Sequence, residues 1–275
     1  MNWRAIRAIV RKDVSVALRS KFVVLPLVLV PLIIVVAMPL FIGLGVAFLS
    51  TVAKDTKNLS DIQEMLRSLP PSLHSQFEGL SAAQAGVVLF LKYTFAPLYL
   101  LLPLMTASVI AADSFAGEKE RKTLEAVIYT PTTDFELFLA KVLGGWLLGL
   151  AVAWISFVLY CLVANVAGWP TLHRIFLPDA MWLLLAFWVA PAAAGMGLGA
   201  TVIASSRVGS FQEAYQLGGL VVLPVIALLL SQISGVLYLG VGVALAIGTL
   251  LWLVDAGLLW LGVRLFRRAE MLAKL

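Results

Sequence analysis

Charge is scarce in this sequence. Asp, Glu, Lys and Arg make up 13% of its 275 residues, against about 25% in a typical soluble domain. With 61% hydrophobic residues and a mean hydropathy of +1.00, too little polar surface remains to clothe a water-soluble globule. Cysteine is scarcer still. The single Cys161 lies inside an apolar run, which excludes an intrachain disulfide framework and a cysteine-based zinc site. The two histidines, His74 and His173, fall outside the apolar runs, and neither His-Glu-x-x-His nor Gly-x-Ser-x-Gly occurs. The constellations that an intramembrane enzyme needs are therefore missing. There is also no Gly-x-x-x-x-Gly-Lys-Ser/Thr loop, so this chain does not cradle ATP in that manner. It is expected to carry no metal and no cofactor of its own.

What is present in quantity is apolar run. A bilayer core of about 30 Å takes about 20 apolar residues in helix. Six runs qualify: Phe22 to Leu49, Ala85 to Ala112, Phe138 to Ala167, Met181 to Ala204, Leu217 to Ile233 and Val236 to Val263. The first is much longer than the 7–15-residue apolar core of a signal peptide and reads as a retained helix. The expected fold is all-α: a single polytopic membrane domain over residues 1–275 with six transmembrane helices. Fifteen of the twenty Lys and Arg fall in the N-terminal segment, the 113–141 region, the 205–216 loop and the C-terminal tail, and four fall in the opposite loops. By the positive-inside rule both termini are expected in the cytoplasm. The pI near 9.4 then reports topology and contact with anionic membrane lipid rather than nucleic acid.

Between the runs, residues 1–21 form a basic amphipathic helix, with Trp3, Ile6, Val10, Val14 and Ala17 at helical spacing. Residues 50–84 form the longest outer loop. There Ser60 and Gln63 make a capping box, and Pro70-Pro71 stops the short helix that follows. Residues 113–137 carry a mixed-charge cluster, Glu118 to Lys122, then a short helical piece, Thr123 to Tyr129, ended by Thr130-Pro131. Thr133 and Glu136 make a second capping box. Two spans need only a few polar residues to connect them. A charged, ordered helix at this place has the character of a docking element for a soluble partner. Residues 264–275 form a basic tail.

This segment resembles the signature of the ABC type-2 transport permease family. Glu118-Lys119-Glu120-Arg121-Lys122-Thr123-Leu124-Glu125, followed by Thr130-Pro131, stands where that family carries a Glu-Lys-Glu-Arg-Gly-Thr-Leu-Glu-like stretch after its second span. The layout of the whole chain matches as well. Lys122 departs from the pattern, standing where the family commonly has Gly, and the outer loop is short beside members with a large extracellular domain. The resemblance implies the membrane subunit of an ATP-driven exporter. Two permease subunits would pair, as homo- or heterodimer, each on a separate ABC ATPase subunit that binds ATP and Mg. It implies that Glu118, Glu120, Arg121, Lys122, Thr123, Leu124, Glu125, Thr130 and Pro131 form the coupling contact. It also implies residence in a prokaryotic inner or plasma membrane. The apolar lining favours a hydrophobic or amphipathic cargo: a lipid, a drug or a lipopeptide.

Lys141 stands at the first turn of the third run, and two further charges, Lys92 and Asp255, stand deeper inside their runs. Lys92 can snorkel to the outer interface, while Asp255 is too short to do so and faces a protein interior or a wet cavity. Both are candidate polar sites. Gly145/Gly149 and Gly195/Gly199 let helices approach closely, within one subunit or across a dimer seam. Pro97, Pro103 and Pro224 are expected to kink their helices, and Trp146, Trp154, Trp169, Trp182 and Trp188 to serve packing or the interfacial belt. The rival readings are an ion-coupled secondary transporter or sodium efflux component, and a membrane scaffold that does not transport. The chain has no convincing internal repeat of the kind that marks many secondary transporters.

Overall fold

Capping residues set where the long helices begin. The computed structural model describes residues 2–52, 77–121, 133–234 and 236–265. The Asn2 side chain caps α1 (Trp3–Arg19), accepting from the Ala5 N–H. After Ser20, α2 (21–52) runs through Pro26 and Pro31. A Ser81/Gln84 capping box opens α3 (Ala82–Glu120), and the expected Thr133/Glu136 box opens α4 (Asp134–Leu172). Asp179 caps α5 (Ala180–Ser205) and Ser210 caps α6 (Phe211–Ile233). The last helix of the described residues is α7 (Val241–Leu265). The described residues contain no strand. The outer-loop helix expected after Ser60 lies outside them.

Helices α2 to α7 are the six expected spans, each long and apolar enough to cross a membrane. Their limits differ from the apolar runs for a physical reason. Hydropathy marks only the lipid-compatible part, whereas paired polar residues extend a helix further. Helices α3 and α4 each have 39 residues, about 58 Å at 1.5 Å per residue, nearly twice the bilayer core. The stretch from Asp113 to Glu120, expected as loop, is therefore the polar end of α3. Helix α6 starts at Phe211 rather than Leu217 because Ser210 caps a polar first turn containing Gln212 and Glu213. Residues 236–240 are not helical, and α7 starts at Val241 rather than Val236.

Helix α3 is the most enclosed span, and α2, α6 and α7 form the rim. Helices α4 and α5 pack closely on α3 through small residues. A Cβ on Gly149 would meet Ala194 and Ala107, one on Gly145 would meet Leu198, and one on Gly197 would lie 2.4 Å from the Leu104 carbonyl. Gly195 and Gly199 face α7 instead. All these contacts lie within one subunit. At the centre, Tyr160 stacks on Trp182 at 4.6 Å, with Tyr99 and Phe95 beside them.

Among the described residues, four π-helical turns interrupt the spans: Leu32–Ala37, Leu89–Thr94, Asp113–Gly117 and Leu185–Val189. Three of them lie just ahead of a proline, Pro39, Pro97 and Pro191. Proline returns no N–H to the preceding turn and crowds its carbonyl, and the wider turn relieves both. Neighbouring helices then supply donors to the loosened carbonyls, as the bilayer requires. Tyr160 Oη and Trp182 Nε1 donate to Leu91 and Lys92, and Trp154 and Trp252 indoles donate to Ala186 and Trp188. The expected kink at Pro97 is thus a π turn with its carbonyls satisfied by neighbours.

Candidate functional site

The remaining π turn, Asp113–Gly117, has no proline just after it. It lies where α3 leaves the apolar zone, at the end of the bundle that gathers α1, the start of α4 and the α5–α6 turn. This is the end to which the sequence assigns its excess Lys and Arg, called here the basic end. The loosened carbonyls of Asp113 and Ser114 accept from charged side chains: Arg121 Nη2 at 3.4 Å and Lys141 Nζ at 2.6 Å. Ordinary helix geometry would have kept those oxygens inside the ladder.

Lys141, on the second turn of α4, is the centre of a buried ion cluster. Its side chain is fully enclosed. Nζ lies 2.7 Å from Glu118 Oε2 and 3.7 Å from Asp13 Oδ2, above the Phe115 ring. Glu118 Oε1 holds Lys12 Nζ at 2.5 Å, and Lys12 also lies 3.3 Å from Asp13 Oδ1. Two cations and two anions from α1, α3 and α4 thereby neutralise one another. Burial opposes the charge on Lys12, but the hydrogen bond and charge of Glu118, joined by Asp13, outweigh it and hold the ammonium above its ordinary value. Asp13 has only the longer contacts. Burial pushes its carboxyl up; Lys141 pulls it back, Glu118 adds to the rise, and Lys12 opposes it.

The residues after Glu118 each reach a different place. Lys119 Nζ donates to the Val208 carbonyl at 3.3 Å. The carboxylate of Glu120 accepts from the Phe211 N–H, at the start of α6, at 2.8 Å. Arg121 folds back to Asp113 Oδ1 at 2.9 Å. Gly117 leaves it room, since a Cβ there would lie 3.0 Å from that oxygen and 3.3 Å from Arg121. Glu136, while capping α4, also accepts from the Asn2 N–H at 2.6 Å and ties α1 to it. Four consecutive residues, 118 to 121, therefore clamp the end of α3 to α1, to α4, to the turn before α6 and to its own preceding turn.

Of the residues nominated for coupling, Glu118, Glu120 and Arg121 fall in this clamp. Glu118 is turned into the protein, not outward. Lys122, Thr123, Leu124, Glu125, Thr130 and Pro131 lie outside the described residues. Lys12, Asp13, Asp113 and Lys141 were not nominated. Asp13 had a legible signal: it is the one acid in a basic helix, seven residues after Ile6 and so on the apolar face. Lys141 was visible as a charge beginning an apolar run.

The two intramembrane charges lie elsewhere. Lys92 pairs with Asp179, the cap of α5, at 2.9 Å, and its ammonium sits 5.0 Å from the Tyr93 ring centroid. Asp255 is 2% exposed, in the seam between α7 and α5.

Six apolar spans, five of them around the enclosed α3, define a multi-pass α-helical membrane protein. A family model described as ABC-2 family transporter protein matches residues 7–266, nearly the whole chain. The chain belongs to that family and is the membrane domain of an ABC transporter, a permease. No curated protein and no solved structure matches it.

Proposed function

We propose that this permease is an exporter subunit for a hydrophobic or amphipathic substrate, driven by a separate ATPase chain that docks at the basic end. The basic end then faces the cytoplasm of a prokaryotic cell, with both termini there. The observation that carries this reading is the clamp at residues 118–121. The clamp leads directly into the 122–132 segment, whose residues resemble the family's coupling stretch. A force applied to that segment enters the bundle at Arg121 and reaches α1 and α4 through the bonds of Glu118 to Lys12 and Lys141, and α6 through the bond of Glu120 to the Phe211 N–H. Charged rims steer docking and set its specificity, while Leu124 supplies an apolar anchor. ATP and Mg reside in the partner. A second permease subunit, identical or related, completes the path between the two membrane domains. The rim spans α2, α6 and α7 offer mainly apolar surface, which suits an apolar cargo.

The test is purification of the chain from its native membrane in mild detergent, identifying what accompanies it. The comparison is Leu124→Asp with Glu125→Lys, which spares the bonded residues 118–121. Co-purification of a soluble ATPase with the wild type, and its loss from a variant that still inserts and stays monodisperse, is expected. A native complex without an ATPase, or one indifferent to the two substitutions, overturns the coupling role.

A further inference from the structure

The last span leans on one neighbour. The enclosed stripe of α7, which includes Ala244, Gly248, Asp255 and Gly262, faces α5 for most of its length, and the rest of α7 is largely open. The fit is close. A Cβ on Gly248 would lie 2.4 Å from Trp188 Cδ1, and Leu258 fills the space over Gly199. Trp252 donates its indole N–H to the Trp188 carbonyl at 3.2 Å. In the middle of this seam the Asp255 carboxyl lies flat on Gly195, where a Cβ would come within 2.4 Å of Oδ2. Both carboxyl oxygens are shut off from the surface, and among the described residues neither has a hydrogen-bond partner.

Among the described residues, nothing facing this carboxyl carries compensating charge. Helix α5 has no ionisable side chain between residues 180 and 205. The other ionisable residue of α7 is Arg264, nine residues on, or about 13 Å along the axis and on the opposite side of the helix. Its guanidinium sits 3.7 Å from the Trp260 ring centroid. Helix α4 reaches α7 at Gly262 through Phe138, and its Lys141 is held by Glu118, Ser114 and Asp13.

An ionised carboxylate in such a place is among the most expensive groups a membrane protein can hold. A metal cation would need several oxygen ligands, and the backbone carbonyls on both sides of the seam belong to helices. Neutralisation by a proton needs no further ligand. We propose that Asp255 is a proton-binding site: it is a neutral carboxylic acid while the α5–α7 seam is closed, and the bound proton is what lets α7 lie on α5. When the seam opens, the O–H bond breaks, the proton passes to water and the carboxylate becomes solvated. Gly195 is the complementary half of the site, because only a residue without a Cβ leaves room for the acid. This inference stands apart from the ATPase reading.

The test uses the full chain in lipid nanodiscs. An infrared difference spectrum of wild type against Asp255→Asn at neutral pH is expected to show the loss of one carboxylic-acid C=O band. A difference confined to carboxylate stretches overturns the proposal. If the variant fails to insert, an Asp13→Asn chain labelled with 13C at the aspartate side-chain carboxyl decides the matter by solid-state NMR; that substitution removes the other buried aspartate whose carboxyl is pushed up. Of the six aspartates that remain, one carboxyl carbon is expected in the acid form at neutral pH. Six ionised aspartates overturn the proposal.

Discussion

Lys141 and Asp13 belong to one cluster but respond differently to loss. Lys141 is enclosed, and two carboxylates depend on it. Removing one partner of a buried pair costs about 3–5 kcal/mol, because the other charge remains buried. Lys141→Met is therefore expected to unfold well below wild type in a thermal scan of the purified protein. An unchanged midpoint would show that the cluster holds nothing together. Asp13 has the weaker contacts and a carboxyl raised by burial. Folding therefore shifts this carboxyl toward its neutral form. The stability this gives is complete below the ordinary value of 3.8 and is lost as pH rises through the raised value. Asp13→Asn removes that loss. As pH rises from 3.8 through the raised value, its midpoint should fall less than that of wild type, and the substitution should cost less than Glu118→Gln. Lys12 behaves in the usual way for a paired lysine: its share is complete below 10.5 and disappears as pH climbs past its raised folded value.

At the scale of the helix, the spans hold by exchanging hydrogen bonds with one another as well as by packing. Pro97 offers no N–H, and the carbonyls before it are taken by Tyr160, Trp182 and Gln232. With its amide oriented so that oxygen and nitrogen both find partners, Gln232 donates to the Tyr93 carbonyl at 2.8 Å and accepts from the Leu239 N–H at 3.0 Å, so it also fixes the link between α6 and α7. Gln232→Leu strands two buried backbone groups and is expected to cost about 1–3 kcal/mol for each. In a Pro97→Ala background the restored N–H supplies one donor, so the cost of Gln232→Leu should shrink. A double-mutant cycle on thermal midpoints measures that coupling, and strict additivity would rule out the exchange. The prolines were legible in the sequence as points of disturbance. The π turns were not, because their geometry depends on donors from helices distant in sequence, such as Trp154 for Ala186 and Tyr160 for Leu91. The turn at 113–117 gave no local signal at all: no proline marks it, and Lys141, its main donor, comes 27 residues after Ser114.

Over the whole molecule, the number of spans followed from hydropathy because lipid tolerates no other surface. The two-ended distribution of charge was equally plain. What hydropathy could not reveal is that the basic end is a joint built from side chains. Glu118 reads in the sequence as one more solvated charge in Glu-Lys-Glu-Arg, and only its meeting with Lys12 and Lys141 turns it inward. That meeting has a mechanical consequence. With Glu118, Asp13 and Glu136 bridging three helices, α1 should move with α3 and α4 rather than slide over them. Gly144 and Asp13 allow a direct test, since a Cβ on Gly144 would lie 3.9 Å from the Asp13 Cβ, within the range that suits a disulfide. Asp13 is the weaker member of the cluster, and Lys12, Glu118 and Lys141 remain bonded without it. In a Cys161→Ala background, Asp13→Cys with Gly144→Cys is expected to oxidise readily. ATP hydrolysis by the complex with its ATPase should then be the same with the bond closed or reduced. If closing the bond abolishes turnover and reduction restores it, α1 slides on α4 during the cycle and the cluster opens at each stroke.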